Sequence, residues 1–326
     1  MRGLVQRFAA VFQLTRVTGA FAAVANVWFV IAWSRSFAEE PGTGVLDVSH
    51  PWILYGCSAV SALGLYAFGA TLNDVIDAKR DRTLRPNRPL AAERISIESA
   101  LSLAVGTLLV AILGAAALGM PAVLLTVLVA GAITAYNAAG RFVPAFGLPM
   151  LSVVYAGHMI VPNVNLVFTW PVVLVMTHAL LIGLVSHLLE RRSPRLSVRA
   201  VLFALAGWAL SAAWLLWSGP AQQPDGAIWP EWTPLSVLAW VGGTVVLLVI
   251  VCVRRISRLG SGPRVAEKIR RYGSLWPAFY ACAWLVGAGQ VTAAVPLIGL
   301  AVAGVLGMTL LREAYSIVEQ PLEFRA

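Results

Sequence analysis

The chain has 326 residues, of which 59% are hydrophobic and only 12% charged, and its mean hydropathy is +0.79. A soluble globular domain carries roughly 45–50% apolar residues, so the composition excludes a water-soluble fold and makes lipid the solvent. The formal charge of +9 has no basic, aromatic-interleaved soluble segment to carry it, which excludes nucleic acid as a partner.

Arg2 and Arg7 sit on an otherwise apolar start, which predicts an interfacial amphipathic segment over 1–16. A bilayer core takes about 20 mostly apolar residues per helix. The candidate stretches are 17–34, 52–72, 96–116, 121–138, 145–163, 169–188, 199–217, 234–253, 275–291 and 294–311. Their short separations predict one domain over 1–326, an all-α membrane bundle of nine to ten helices. The last two stretches read either as two spans or as one broken unit. Cys57, Cys252 and Cys282 lie inside apolar stretches without CxxC spacing, as small core residues do.

With a cytoplasmic amino terminus, every basic residue except Arg35 falls on the cytoplasmic side. Glu39, Glu40, Asp47, Asp225 and Glu231 fall opposite. The positive-inside rule therefore orients the bundle. Abundant Ala, Val, Gly and Arg, with Lys79 and Lys268 as the only lysines, points to a GC-rich bacterial genome and hence a bacterial cytoplasmic membrane. Trp28, Trp33, Trp52, Tyr55, Trp229 and Trp232 read as an interfacial aromatic belt. The basic stretch Arg254–Arg271 reads as a topology determinant touching anionic lipid. His158 and His178, inside apolar spans, read as interhelical hydrogen-bonding groups.

Where the second span meets the cytoplasmic face the sequence is Asn73-Asp74-Val75-Ile76-Asp77-Ala78-Lys79-Arg80-Asp81. On a helix Asp74, Asp77 and Asp81 share a narrow stripe, with Asn73 one turn before Asp77, so three carboxylates face one point. Repulsion and desolvation there call for a cation. Mg2+ suits such oxygens and completes its shell with water and phosphate. Pro86 and Pro89 then break the helix and leave Arg85 and Arg88 beside the acids. Carboxylates for a metal followed by guanidinium groups for phosphate oxygens make a diphosphate site.

This stretch, NDVIDAKRD followed by NRPL, resembles the first aspartate-rich motif of the UbiA superfamily of intramembrane prenyltransferases. The resemblance implies a magnesium-bound isoprenoid diphosphate donor in a cavity open to the cytoplasm. It assigns Asn73, Asp74 and Asp77 to metal or diphosphate, Asp81 to a supporting acid and Arg88 to a diphosphate clamp. Asp74, Asp77 and Asp81 are thus the expected catalytic acids, and Lys79 and Arg85 join Asn73 and Arg88 as donor contacts.

The family repeats an acidic motif after its sixth helix, and there this chain reads Ser186-His187-Leu188-Leu189-Glu190-Arg191-Arg192-Ser193-Pro194. In register with the first loop, His187 replaces the first aspartate, Glu190 the second and Pro194 the third. Histidine is a poor magnesium ligand, which leaves Glu190 as the only charged ligand for a second ion. Arg191 and Arg192 are then expected to neutralise the diphosphate directly. Tyr136 and Arg141, in Tyr136-Asn137-Ala138-Ala139-Gly140-Arg141, are similar to the family's Y-x-x-x-K-R pattern, with glycine in place of lysine. Arg16 resembles a basic position near the acceptor site. The resemblance implies prenyl transfer from an allylic diphosphate to an aromatic or other lipophilic acceptor, with membrane lipid as surroundings. The altered second loop leaves open a one-metal transferase, a transferase with altered substrates, or a non-catalytic member that binds or carries an isoprenoid or similar amphipathic metabolite.

Overall fold

The computed structural model describes the chain except for residues 1–10, 12, 13, 16–18, 38, 41–45, 47, 48, 87, 191–193, 223–225 and 320–326, and the side chains of 308 and 311–319. The amphipathic segment expected over 1–16 lies almost wholly outside the described residues. The helices are α1 Ala20–Ser36, α2 Pro51–Leu84, α3 Ile97–Ala116, α4 Met120–Ala138, α5 Pro144–Ile160, α6 Trp170–Glu190, α7 Val198–Ser218, α8 Val237–Leu259, α9 Pro263–Gly287 and α10 Val291–Glu319. No strand occurs among the described residues. Among the described residues six helices, α2, α3, α4, α6, α7 and α8, are long and apolar enough to cross a membrane.

Several helices overrun their apolar stretches, α2 and α9 by the most. α2 continues to Leu84, and α9 begins at Pro263 rather than near 275. Hydropathy marks where a helix is greasy, not where it stops. The lysines and arginines of both extensions and Glu267 are good helix formers, and Pro263 sits at a helix start, where its missing N–H costs nothing. The stretches 275–291 and 294–311 fall on two helices. α9 ends at Gly287, and Gly289 at φ +78° turns the chain so that the Gln290 N–H reaches the Leu285 carbonyl at 2.8 Å.

Helix contacts close into a ring: α1 on α2, α2 on α4, α4 on α5, α5 on α6, α6 on α9, and α9 back on α1. α3 packs outside on α2 and α4, α7 on α5 and α6, α8 on α9, and α10 on α9 and α1. The α2–α3 contact depends on small residues: a Cβ on Gly64 would stand 2.6 Å from the Thr107 carbonyl oxygen. Such close backbone approach is how helices associate where lipid supplies no hydrophobic drive. α1 also meets α5 across the ring. Asn163, just past α5, donates to Ser34 of α1 at 2.8 Å, and this seals the end opposite the acidic motif. α2 and α6 are left on opposite sides of the α1–α5 diameter.

The sealed end is aromatic. Trp33, fully buried, stacks on Phe168 at 5.1 Å and lies 4.6 Å from Phe37, while Phe168 meets the edge of Trp284 at 5.4 Å. Trp33, Trp229 and Trp232 therefore belong to a packed cluster rather than to an outward-facing belt. Their rings find more contact on one another and on α9 than at a helix surface. Trp52, 68% exposed, keeps the anchor-like placement. Above this cluster Glu40 is buried and accepts the backbone N–H groups of Val167 at 2.5 Å and Phe168 at 3.2 Å. Burial pushes its carboxyl up to about 7, although these N–H groups and Trp33 oppose the rise.

His178 has a structural task. Pro277 inside α9 has no N–H to offer the Gly273 carbonyl one turn earlier. His178 of α6 supplies the missing bond, with Nε2 donating to Gly273 O at 2.8 Å. Nδ1 then accepts from the Tyr280 hydroxyl at 3.3 Å. A proline-broken carbonyl inside an apolar bundle is thus satisfied by a neighbouring helix.

Candidate functional site

The acidic stripe lies on the last turns of α2, where Asp74 and Asp81 are buried and Asp77 is half-buried. α2 stops because Pro86 cannot continue it, and the Arg85 N–H closes on the Asp81 carbonyl at 2.8 Å. A turn from Arg85 to Arg88, its N–H···O at 3.0 Å, carries the chain back beside the helix. Arg88 Nη1 then reaches Asp81 Oδ2 at 2.7 Å and Asp74 Oδ1 at 3.0 Å. One guanidinium straddles two acids two turns apart.

Asp77 is held from elsewhere in the sequence. Between α4 and α5 the chain makes a turn so tight that a Cβ on Gly147 would stand 2.3 Å from the Gly140 carbonyl oxygen. Arg141 leaves this turn with Nη1 2.8 Å and Nη2 2.7 Å from the two Asp77 oxygens, and Nη1 2.7 Å from Asn73 Oδ1. Asn73 in turn donates to Asp74 Oδ1 at 3.1 Å. The Arg141 side chain is 12% exposed. Its Nε–H is buried with no acceptor, and its guanidinium lies 4.7 Å over the Phe142 ring. Asn137, buried one turn before Arg141, donates to the Gly69 carbonyl of α2 at 3.3 Å and ties the two elements together.

The three carboxylates are divided between two arginines. Asp74 and Asp81 belong to Arg88, and Asp77 with Asn73 belongs to Arg141. Among the described residues no three His, Cys, Asp or Glu side chains converge as a ready metal cage. The donor set still fits Mg2+: Asn73, Asp74 and Asp77 offer only hard oxygens. Such an ion needs one or two carboxylates beside water and phosphate oxygens. The orphaned Arg141 Nε–H marks a buried donor with capacity for an anion.

Other expected contacts lie elsewhere. Lys79 is exposed, and at about 100° per residue it projects from the side of α2 away from the acids. Arg85 is also exposed, its backbone serving as the helix cap. Tyr136 is half-buried at the end of α4, beside the Gly140 turn. Arg16, Arg191 and Arg192 lie outside the described residues.

On the second loop, His187 Nε2 donates to the Pro194 carbonyl at 3.0 Å, which folds the ring onto its own loop. Glu190 pairs with Arg270 of α9. Arg270 was not expected at this site, because the basic stretch around it reads as a topology determinant touching anionic lipid. A signal was nonetheless present: on a helix Arg270 shares a face with Ala266 and Gly273, both of which are buried.

Residues 27–260 match the UbiA prenyltransferase family. No curated protein is significantly similar in sequence. Among solved structures, the chain is similar to a digeranylgeranylglyceryl phosphate synthase at 16% identity and TM-score 0.53, covering 88% of this chain and 99% of that one. It is also similar to a UbiA homologue from Archaeoglobus fulgidus bound to GPP and Mg2+, at 13% identity and TM-score 0.46, covering 87% and 99%. At these identities the likeness, carried by the first, is one of fold. The match over residues 27–260, which spans the acidic stripe, Arg88, Arg141 and Glu190, makes this chain a member of the UbiA prenyltransferase family.

Proposed function

We propose that the protein transfers a prenyl group from an allylic diphosphate to a lipophilic acceptor at the acid end of the α1–α9 ring. Family membership supports prenyl transfer as the general chemistry and a multi-pass membrane setting. We assign the acid end to the cytoplasmic face of a bacterial inner membrane, on the charge asymmetry of the loops. The observation that carries the reading is the pairing of Asn73, Asp74, Asp77 and Asp81 with Arg88 and Arg141, because oxygen ligands and bidentate phosphate donors stand on one site.

Asn73, Asp74 and Asp77 would hold the Mg2+, and the ion supplies charge stabilisation for the departing diphosphate. The chain's own groups do the rest. When a donor binds, Arg88 and Arg141 exchange carboxylate for phosphate oxygens, so the acids are released as the anion is gripped. Asp81 keeps Arg88 aimed through the exchange. As the allylic C–O bond breaks, the bond electrons leave with the diphosphate, and both arginines face the charge that develops. The apolar walls exclude water, which would otherwise capture the cation before the acceptor.

The test is diphosphate release from geranyl, farnesyl and longer donors by the purified protein, with and without Mg2+. Release should require the ion and fall at least about a hundredfold in Asp74→Ala, a loss typical of removing one charge-stabilising group. Donor binding without release, across plausible acceptors, would instead assign the protein as a carrier, which the acid-poor second loop favours.

A further inference from the structure

The oxygens offered to the ion are already held by the protein, and this carries an inference that rests on the transfer reading. Arg141 takes both Asp77 oxygens and Asn73 Oδ1, at 2.7 to 2.8 Å. Asn73 passes the contact on to Asp74 Oδ1 at 3.1 Å, and Arg88 holds that same oxygen at 3.0 Å. Arg141, Asn73, Asp74 and Arg88 thus form one continuous chain of hydrogen bonds, with a guanidinium at each end.

Either ligand alone fits this chain badly. A divalent ion arriving first would have to take Asp77 and Asn73 from Arg141. That guanidinium, 12% exposed and with no other acid among its contacts, would be left as an uncompensated buried charge. A diphosphate arriving first would draw Arg141 away and leave the Asp77 carboxylate facing an anion without a cation, and like charges at that range repel. Together the two ligands leave every group partnered, oxygens on the ion and guanidinium on the phosphates. The closed position also carries a tension of its own: the Arg141 Nε–H is buried without an acceptor, and an unmet buried donor favours a move that supplies one.

We propose that Arg141 is a latch on the ion site: closed on Asp77 and Asn73, it keeps a divalent ion out until a diphosphate draws it off, so that ion and donor are bound as one complex and neither binds tightly alone. Arg141 then has two tasks at one place. It grips the donor, and it makes the ion's affinity depend on the donor.

The experiment measures that dependence. Mn2+ replaces Mg2+ and is counted by electron paramagnetic resonance, geranyl and farnesyl thiolodiphosphates serve as non-ionising donor analogues with affinity read by calorimetry, and a protein-free titration subtracts the Mn2+ that each analogue chelates in solution. The wild type should bind Mn2+ at least about tenfold more tightly with saturating analogue than without it. Arg141→Gln should reverse the pattern, binding free Mn2+ about tenfold more tightly than the wild type does and the analogue more weakly. Arg141→Lys, which keeps a cation beside Asp77 but not the fork, should fall between the two. The neutral pair Asp77→Asn/Arg141→Gln should lose the gain in ion affinity.

A guanidinium that only braces α2 against the α4–α5 turn would lower both affinities in Arg141→Gln, and that result overturns the proposal. If Arg141→Gln does not fold, Arg141→Lys decides alone: no gain in free-ion affinity overturns it. A wild type that binds the analogue but shows the same Mn2+ affinity with and without it overturns the latch and leaves the transfer reading intact. Failure of the wild type to bind either analogue at any Mn2+ concentration overturns the transfer reading, and this inference with it.

Discussion

Arg141 holds Asp77 by both terminal nitrogens, at 2.7 and 2.8 Å, across 64 residues of chain. The contact is planar fork to planar carboxylate, a geometry that lysine cannot reproduce. Arg141→Lys should keep the charge but lose the fork, and analogue affinity should fall about tenfold. Arg141→Ala leaves Asp77 without its cation, at a cost of about 3–5 kcal/mol for a buried pair. Calorimetry and thermal melts of the two variants separate these effects.

The Gly140–Gly147 turn is the support of that arginine. Gly147→Ala places a methyl group where the Gly140 carbonyl oxygen stands, 2.3 Å away. The turn must open and Arg141 must shift. Transfer activity should drop with a modest fall in melting temperature, whereas Ala at Gly131, where nothing lies within 4 Å, should leave both unchanged.

His178 and Pro277 make a coupled pair. His178→Phe strands the Gly273 carbonyl and should cost about 1–3 kcal/mol for an unsatisfied buried group. Pro277→Ala restores an N–H at the position that can reach the same carbonyl. The double variant should therefore be more stable than the sum of the two single changes predicts, and a double-mutant cycle of melting temperatures measures the coupling.

Glu40 predicts a pH dependence at the sealed end. Burial raises its folded-state carboxyl from the ordinary 4.5 to about 7. The folded protein thus binds the proton more tightly than the unfolded chain. The associated stability is full below the unfolded value and is lost as pH rises through 7. The span corresponds to about 3 kcal/mol at 1.36 kcal/mol per unit. Thermal melts from pH 4.5 to 8 should decline more in the wild type than in Glu40→Gln.

The acid-bearing helix was legible because its spacing and its proline stop are local properties. Asn73, Asp74, Asp77, Asp81 and Arg88 lie within a few turns of one another, and the helical period brings them to one side. The division of the acids between two arginines was not legible. Periodicity shows which residues share a face, but not which partner arrives from another helix, as Arg141 does. The Glu190–Arg270 pair was hidden for the same reason, and for another: a run of arginines on a membrane protein satisfies the topology rule so well that one inward-facing member attracts no notice. Helix number survived because apolar length is a strong signal. The ends of α2 and α9 did not, because the polar extensions are helical without being apolar.

The two arginines also differ in when they become available. Arg88 follows Asp81 by a single turn and a half-loop, so it emerges from the ribosome almost together with the acids it covers. Arg141 is made only after α3 and α4. Asp77 therefore spends the synthesis of two further helices without its cation, and its burial must wait for the helix that delivers the partner. Assembly of the acid end is consequently tied to the insertion of α4, which makes a half-made chain one whose Asp77 still lacks its guanidinium.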